Sequence, residues 1–132
     1  MEEVKIHSGS RIKLKKVDES ALPQEFLGRL REYAAGDETI DAIFMFALQS
    51  EGRDEQLSMA VAMKGGLFAN KDESFLQVVD VIQVLLPEDL PMNLYRFGAS
   101  EFLARYCAHN IEPLFLRNPV WLDKQRKKLA KE

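Results

Sequence analysis

Thr39-Ile40-Asp41-Ala42-Ile43-Phe44-Met45-Phe46-Ala47-Leu48-Gln49-Ser50-Glu51-Gly52-Arg53-Asp54-Glu55-Gln56-Leu57-Ser58-Met59-Ala60-Val61-Ala62-Met63-Lys64 is the stretch that decides how this chain folds. Ile40, Ala42, Phe44, Phe46 and Leu48 alternate with Asp41, Ile43, Met45, Ala47 and Gln49. A polar, Gly-containing connection follows, and a second run then sets Leu57, Met59, Val61 and Met63 against Ser58, Ala60 and Ala62. Two runs of period 2 across such a connection predict an antiparallel hairpin. A hairpin alone is marginal in water, so helices elsewhere in the chain must cover it.

Working outward, Arg11 to Val17 alternates Ile12 and Leu14 against Arg11, Lys13 and Lys15, which predicts a half-buried strand with one basic face. A helix follows Pro23, with Phe26, Leu27, Leu30, Tyr33 and Ala34 on one stripe and Gly36 as its left-handed stop. Beyond the hairpin, Phe75 to Leu86 is apolar except at Gln77, Asp80 and Gln83. That pattern predicts a deeply buried helix, the main cover of the sheet. Met92 to Phe97 reads as a strand, and Ser100 as the cap of a helix that turns Leu103 and Cys107 inward.

The order β-α-β-β-α-β predicts an α+β, ferredoxin-like, four-stranded antiparallel sheet with its helices on one face and the strand from Arg11 at its centre. Phe26, Leu30, Leu57, Met59, Val61, Val78, Val79, Ile82 and Leu86 are the expected core. Residues 1–117 form the expected domain. Residues 118–132 form a basic, amphipathic C-terminal helix or tail, with Asn118 and Pro119 at its start.

With 132 residues, 46% apolar and 30% charged, the chain has the make-up of one globular domain. Its single Cys107 excludes an internal disulfide and suits a reducing cytoplasm. The acidic start lacks the features of a secretory signal, and no apolar run is long enough to span a bilayer. The net charge of −3 divides into +3 for residues 1–16, −10 for 17–116 and +4 for 117–132. An acidic body with basic ends fits poorly with wrapping by nucleic acid.

Ser8-Gly9-Ser10-Arg11-Ile12-Lys13-Leu14 leading to Leu22-Pro23, Leu85-Leu86-Pro87-Glu88-Asp89-Leu90-Pro91-Met92-Asn93-Leu94, and Glu112-Pro113-Leu114-Phe115-Leu116-Arg117 carry a family pattern. Over residues 8–117 the chain resembles the C-terminal domain of the SseB family, the bacterial "enhanced serine sensitivity" proteins. The resemblance implies a small α+β domain of the bacterial cytoplasm and brings no catalytic residues with it. Members of that family place another domain ahead of this one. Here Met1 stands almost directly before the first strand, so the expectation is a module without that domain.

Cys107 shares an apolar stripe with Phe102, Leu103 and Tyr106, the setting of an inert buried thiol. No CxxC, HxxxH or repeated Asp spacing offers a metal site, and Asp72 and Glu73 would repel an anion from the helix after Gly65-Gly66. Asp37-Glu38, Asp54-Glu55 and Glu88-Asp89 read as solubilising pairs in turns. No cofactor is therefore expected. The expectation is a non-catalytic protein-interaction or regulatory module. The alternatives are nucleic-acid binding on an open sheet face and a cryptic enzyme with a composite site using His7, His109 or Cys107. Candidate partner-binding residues are Arg11, Lys13, Lys15, Tyr95 and Phe97 on the open face, and Trp121 and Leu122 on the last helix. That helix is expected to dock on its own body, with exchange into a homodimer as the alternative.

Overall fold

The structure, a computed structural model, describes residues 12–50, 52–65 and 71–129. In order the elements are β1 (Ile12–Lys16), α1 (Gln24–Gly36), β2 (Ile40–Ser50), β3 (Gln56–Met63), α2 (Lys71–Leu85), β4 (Asn93–Arg96), α3 (Glu101–Asn110), β5 (Phe115–Leu116) and α4 (Pro119–Lys128). Short 3₁₀ turns precede α1 and α3. The predicted hairpin is there: β2 and β3 pair antiparallel from Ala42↔Ala62 to Leu48↔Gln56. Gly52 in the connection has φ +77°, a conformation that a side chain would strain.

The class is α+β, but the sheet is mixed and not purely antiparallel. Its order is β1-β2-β3-β4, and β3 and β4 run parallel. A helix joins those two strands, and parallel neighbours need such a crossover. The strand from Ile12 is an edge strand. The centre belongs to β2, which pairs with β3 on one side and with β1 and β5 on the other. Five residues of β1 cannot span eleven of β2. β1 pairs along Phe46 to Ser50, and β5 pairs Ala42 and Ile43 with Leu116 and Phe115.

The helices cover both faces, not one. Ile43, Met45, Met59 and Val61 pack with α1 and α2 through Phe26, Leu30, Val78 and Ile82. Phe44, Phe46, Leu48 and Ala60 pack with α3 and α4 through Leu103, Cys107, Ala108 and Leu122. Apolar side chains on alternating sides of β2 demand both covers. A bulge at Asp41 moves Ile40 to the α1/α2 side while Ala42 stays on the other. The face expected to be open therefore lies under α3 and α4.

Two local expectations change. Gly36 is the last residue of α1, and Asp37 caps it in an extended conformation. Asp37 instead ties the turn: it accepts from the Thr39 N–H and hydroxyl and from the Tyr33 hydroxyl. Helix α2 is one-sided. Val78 and Ile82 are buried and Val79 and Leu86 half-buried, but Leu76 is 62% and Val84 85% exposed. Leu57 is also only half-buried. The pattern of α2 looked buried all round because two of its apolar residues face solvent.

Arg117 closes the structure. Its guanidinium donates to the carbonyls of Ala34, Asp37 and Ile40, at 2.6, 2.8 and 2.8 Å, and stands over the Phe115 ring. It thereby joins the end of α1 to the start of β2, and both to β5. Charge-assisted bonds of this kind contribute about 1.5–3 kcal/mol each when removal strands a partner. Because the carbonyls can in part turn to water, Arg117→Ala is predicted to cost about 2–3 kcal/mol in chemical denaturation. Ile82→Asp is predicted to cost several kcal/mol by burying an unpaired charge. Leu76→Glu with Val84→Glu is predicted to leave the melting temperature nearly unchanged. An equal loss in both variants would contradict the one-sided packing of α2.

Candidate functional site

The carboxyl ends of β3 and β4 lie side by side because the strands are parallel. At that end the chain leaves the sheet twice, through Lys64-Gly65 and through the turn Phe97–Ala99 that leads into α3. Ser100 caps α3 by accepting from the Leu103 N–H at 3.2 Å. Helix α4 comes back over the same end. Asn118 accepts from the Val120 N–H at 2.9 Å, and Pro119 occupies the first turn, as the sequence predicts. Arg105 and Arg126 fasten α4 to α3 by donating to the Leu129 and Ala108 carbonyls.

Between these elements lies a cleft of about 600 Å³. Its aromatic part is held by a stack. Phe97 lies over Phe44 at 5.4 Å between centroids and Trp121 tilts against Phe97 at 5.4 Å, an arrangement the ring quadrupoles favour. Lys64, Arg96 and Lys128 supply positive charge, and Asp41 and Glu101 supply negative charge. Glu101 is already held by Arg105 at 2.6 Å, and Arg96 approaches the exposed Asp72 at 3.3 Å. Surface pairs of this sort are weak enough to rearrange around a bound group.

The candidate residues separate. Lys13 and Lys15 are exposed on β1, and Lys15 pairs with Glu55 at 2.8 Å. Tyr95 stacks on Phe46, while Phe97 and Leu122 are buried. Only Phe97 and Trp121 reach the cleft. Arg11 and His7 lie outside the described residues. Sequence reasoning missed Lys64 and Arg96. The signal for them was a basic residue directly after one strand and another at the end of the next, on either side of a helix.

Cys107 and His109 are not brought together. Cys107 is fully buried under β2, and burial pushes its thiol up to about 12. His109 lines a separate hollow of about 280 Å³ with Glu19, Glu112 and Arg126. Among the described residues no group of three His, Cys, Asp or Glu side chains could hold a metal, and no helix is long and apolar enough to cross a membrane.

Against known families, residues 6–117 match the SseB protein C-terminal domain. This chain belongs to that family. The match takes in β1 to β5 and α1 to α3 and ends at Arg117, the residue that closes the sheet on α1. Comparison with curated proteins and with solved structures gave no match. In this SseB C-terminal domain, Cys107 is predicted to resist iodoacetamide at pH 8 in the folded state and to react once denatured. Rapid alkylation of the native protein would show that the α3 side of the sheet opens.

Proposed function

We propose that this SseB C-terminal domain is a non-catalytic regulatory module of the bacterial cytoplasm, one that binds a small ligand in the cleft and acts through a protein partner. The observation that supports this reading is the make-up of the cleft. Residues from β2, β3, β4, α3 and α4 converge there, aromatic at one side and charged at the rim. A volume of about 600 Å³ is that of a small-molecule site. Sites of this kind favour the carboxyl ends of parallel strands, where the connections leave the sheet on opposite faces, as α2 after β3 and α3 after β4 do here. The buried Cys107 supplies no nucleophile to it. Neither Lys13 nor Lys15 lies in the cleft, and the sheet face proposed for nucleic acid is occupied by α3 and α4.

Binding to the folded state alone raises stability by mass action. The low-molecular-weight fraction of a bacterial extract is therefore predicted to raise the melting temperature of the wild-type domain by several degrees. A Lys64→Glu, Arg96→Glu variant is predicted to lose that shift while keeping the unliganded melting temperature and circular dichroism. An equal shift in both proteins, or none in either, would defeat the reading of the cleft as the recognition site.

A further inference from the structure

The chemistry of the lining restricts what the cleft can hold. Trp121 and Phe97 meet at 58°, and Phe97 is backed by Phe44, so the aromatic side is braced by the core and not by solvent-exposed chain. An indole in such a position suits a flat π-system, and stacking of this kind accepts any heteroaromatic ring. Lys64 directly after β3, Arg96 at the end of β4 and Lys128 at the end of α4 line the same cleft. Lys64 and Lys128 make no ion pair among the described residues, whereas Glu101 is taken up by Arg105. The lining therefore carries an available excess of positive charge next to an aromatic wall. The excess is small, because Asp41 also lines the cleft. A ligand with one phosphate matches that balance, while a triphosphate would bring more negative charge than three cations facing a carboxylate can offset.

We propose that the cleft binds a heteroaromatic monoanion or dianion of the class of nucleoside monophosphates, the base against Trp121 and the phosphate toward Lys64 and Arg96. The proposal rests on the reading of the cleft as the recognition site and names what that site takes. Arg96 is suited to the phosphate by its planar fork of donors, and its exposed partner Asp72 is readily displaced. Lys64, directly after β3, adds a compact charge to the same lining.

Trp121 is the only tryptophan in the chain, so its emission reports on this cleft alone. The wild-type protein is titrated separately with AMP, GMP, CMP and UMP, with adenosine and inorganic phosphate as half-probes and with a short single-stranded RNA, and affinities are checked by calorimetry. At least one monophosphate is expected to give a saturable change with a dissociation constant below about 1 mM. Adenosine and phosphate are expected to bind at least about tenfold more weakly. Lys64→Ala with Arg96→Gln is expected to weaken the monophosphate about tenfold or more, and Lys64→Arg to retain it. Saturation by no monophosphate, equal affinity for adenosine, affinity unchanged in the double variant, or binding of the RNA alone would each overturn the proposal. If the monophosphates fail while the extract still shifts the melting temperature of the wild type and not of the Lys64→Glu, Arg96→Glu variant, the ligand class is wrong and the cleft reading stands. If both fail, both fall.

Discussion

A strand that is apolar on both sides cannot sit at a water interface, and β2 is such a strand. From Ala42 to Leu48 every residue is buried. Phe44, Phe46 and Leu48 demand one cover, and Ile43 and Met45 demand another. The rest of the architecture answers that demand. Helices α1 and α2 supply one layer, α3 and α4 the second, and β1, β3 and β5 satisfy the backbone of β2 along both of its edges. Burial of this kind stabilises by roughly 1.5–3 kcal/mol for each large side chain, so several such residues outweigh any single ion pair on the surface.

The second cover creates the cleft as a by-product. Helix α3 starts where β4 ends, and α4 must cross back to set Leu122 and Trp121 against Phe44 and Phe97. At that sheet end α3 and α4 leave a gap between them. The gap is lined by whatever occupies the strand ends, here Lys64 and Arg96. Rigid parts surround it, since Arg105 and Arg126 tie α4 to α3 and Arg117 ties β5 to α1.

Local pattern made the elements legible, and sheet order was beyond its reach. The alternation in 40–63 disclosed the hairpin, while the small, buried Ser58, Ala60 and Ala62, which leave room for a helix, lie on the face expected to be open. That Ile12 to Lys16 lies at an edge depends on pairing with Leu48 and Ser50, more than thirty residues on, and no periodicity records it. In α2, the outward Leu76 and Val84 made the polar stripe of Gln77, Asp80 and Gln83 look too narrow for a one-sided helix. The cleft was least legible of all. Trp121 stood out as an amphipathic anchor, but its neighbours Lys64 and Arg96 come from positions 57 and 25 residues earlier in the chain, and only the parallel β3–β4 pairing brings them to one edge.

The pairing of Ala42 and Ile43 with Leu116 and Phe115 spans more than seventy positions. During synthesis the hairpin would therefore emerge from the ribosome long before β5, α3 and α4 exist to meet it. Through that interval the stripe of Phe44, Phe46 and Leu48 has no native cover, while α1 is already available for the opposite face. Domains that depend on such late, distant contacts fold slowly and expose sticky intermediates to the cell. The last helices thus set the time at which that stripe leaves water.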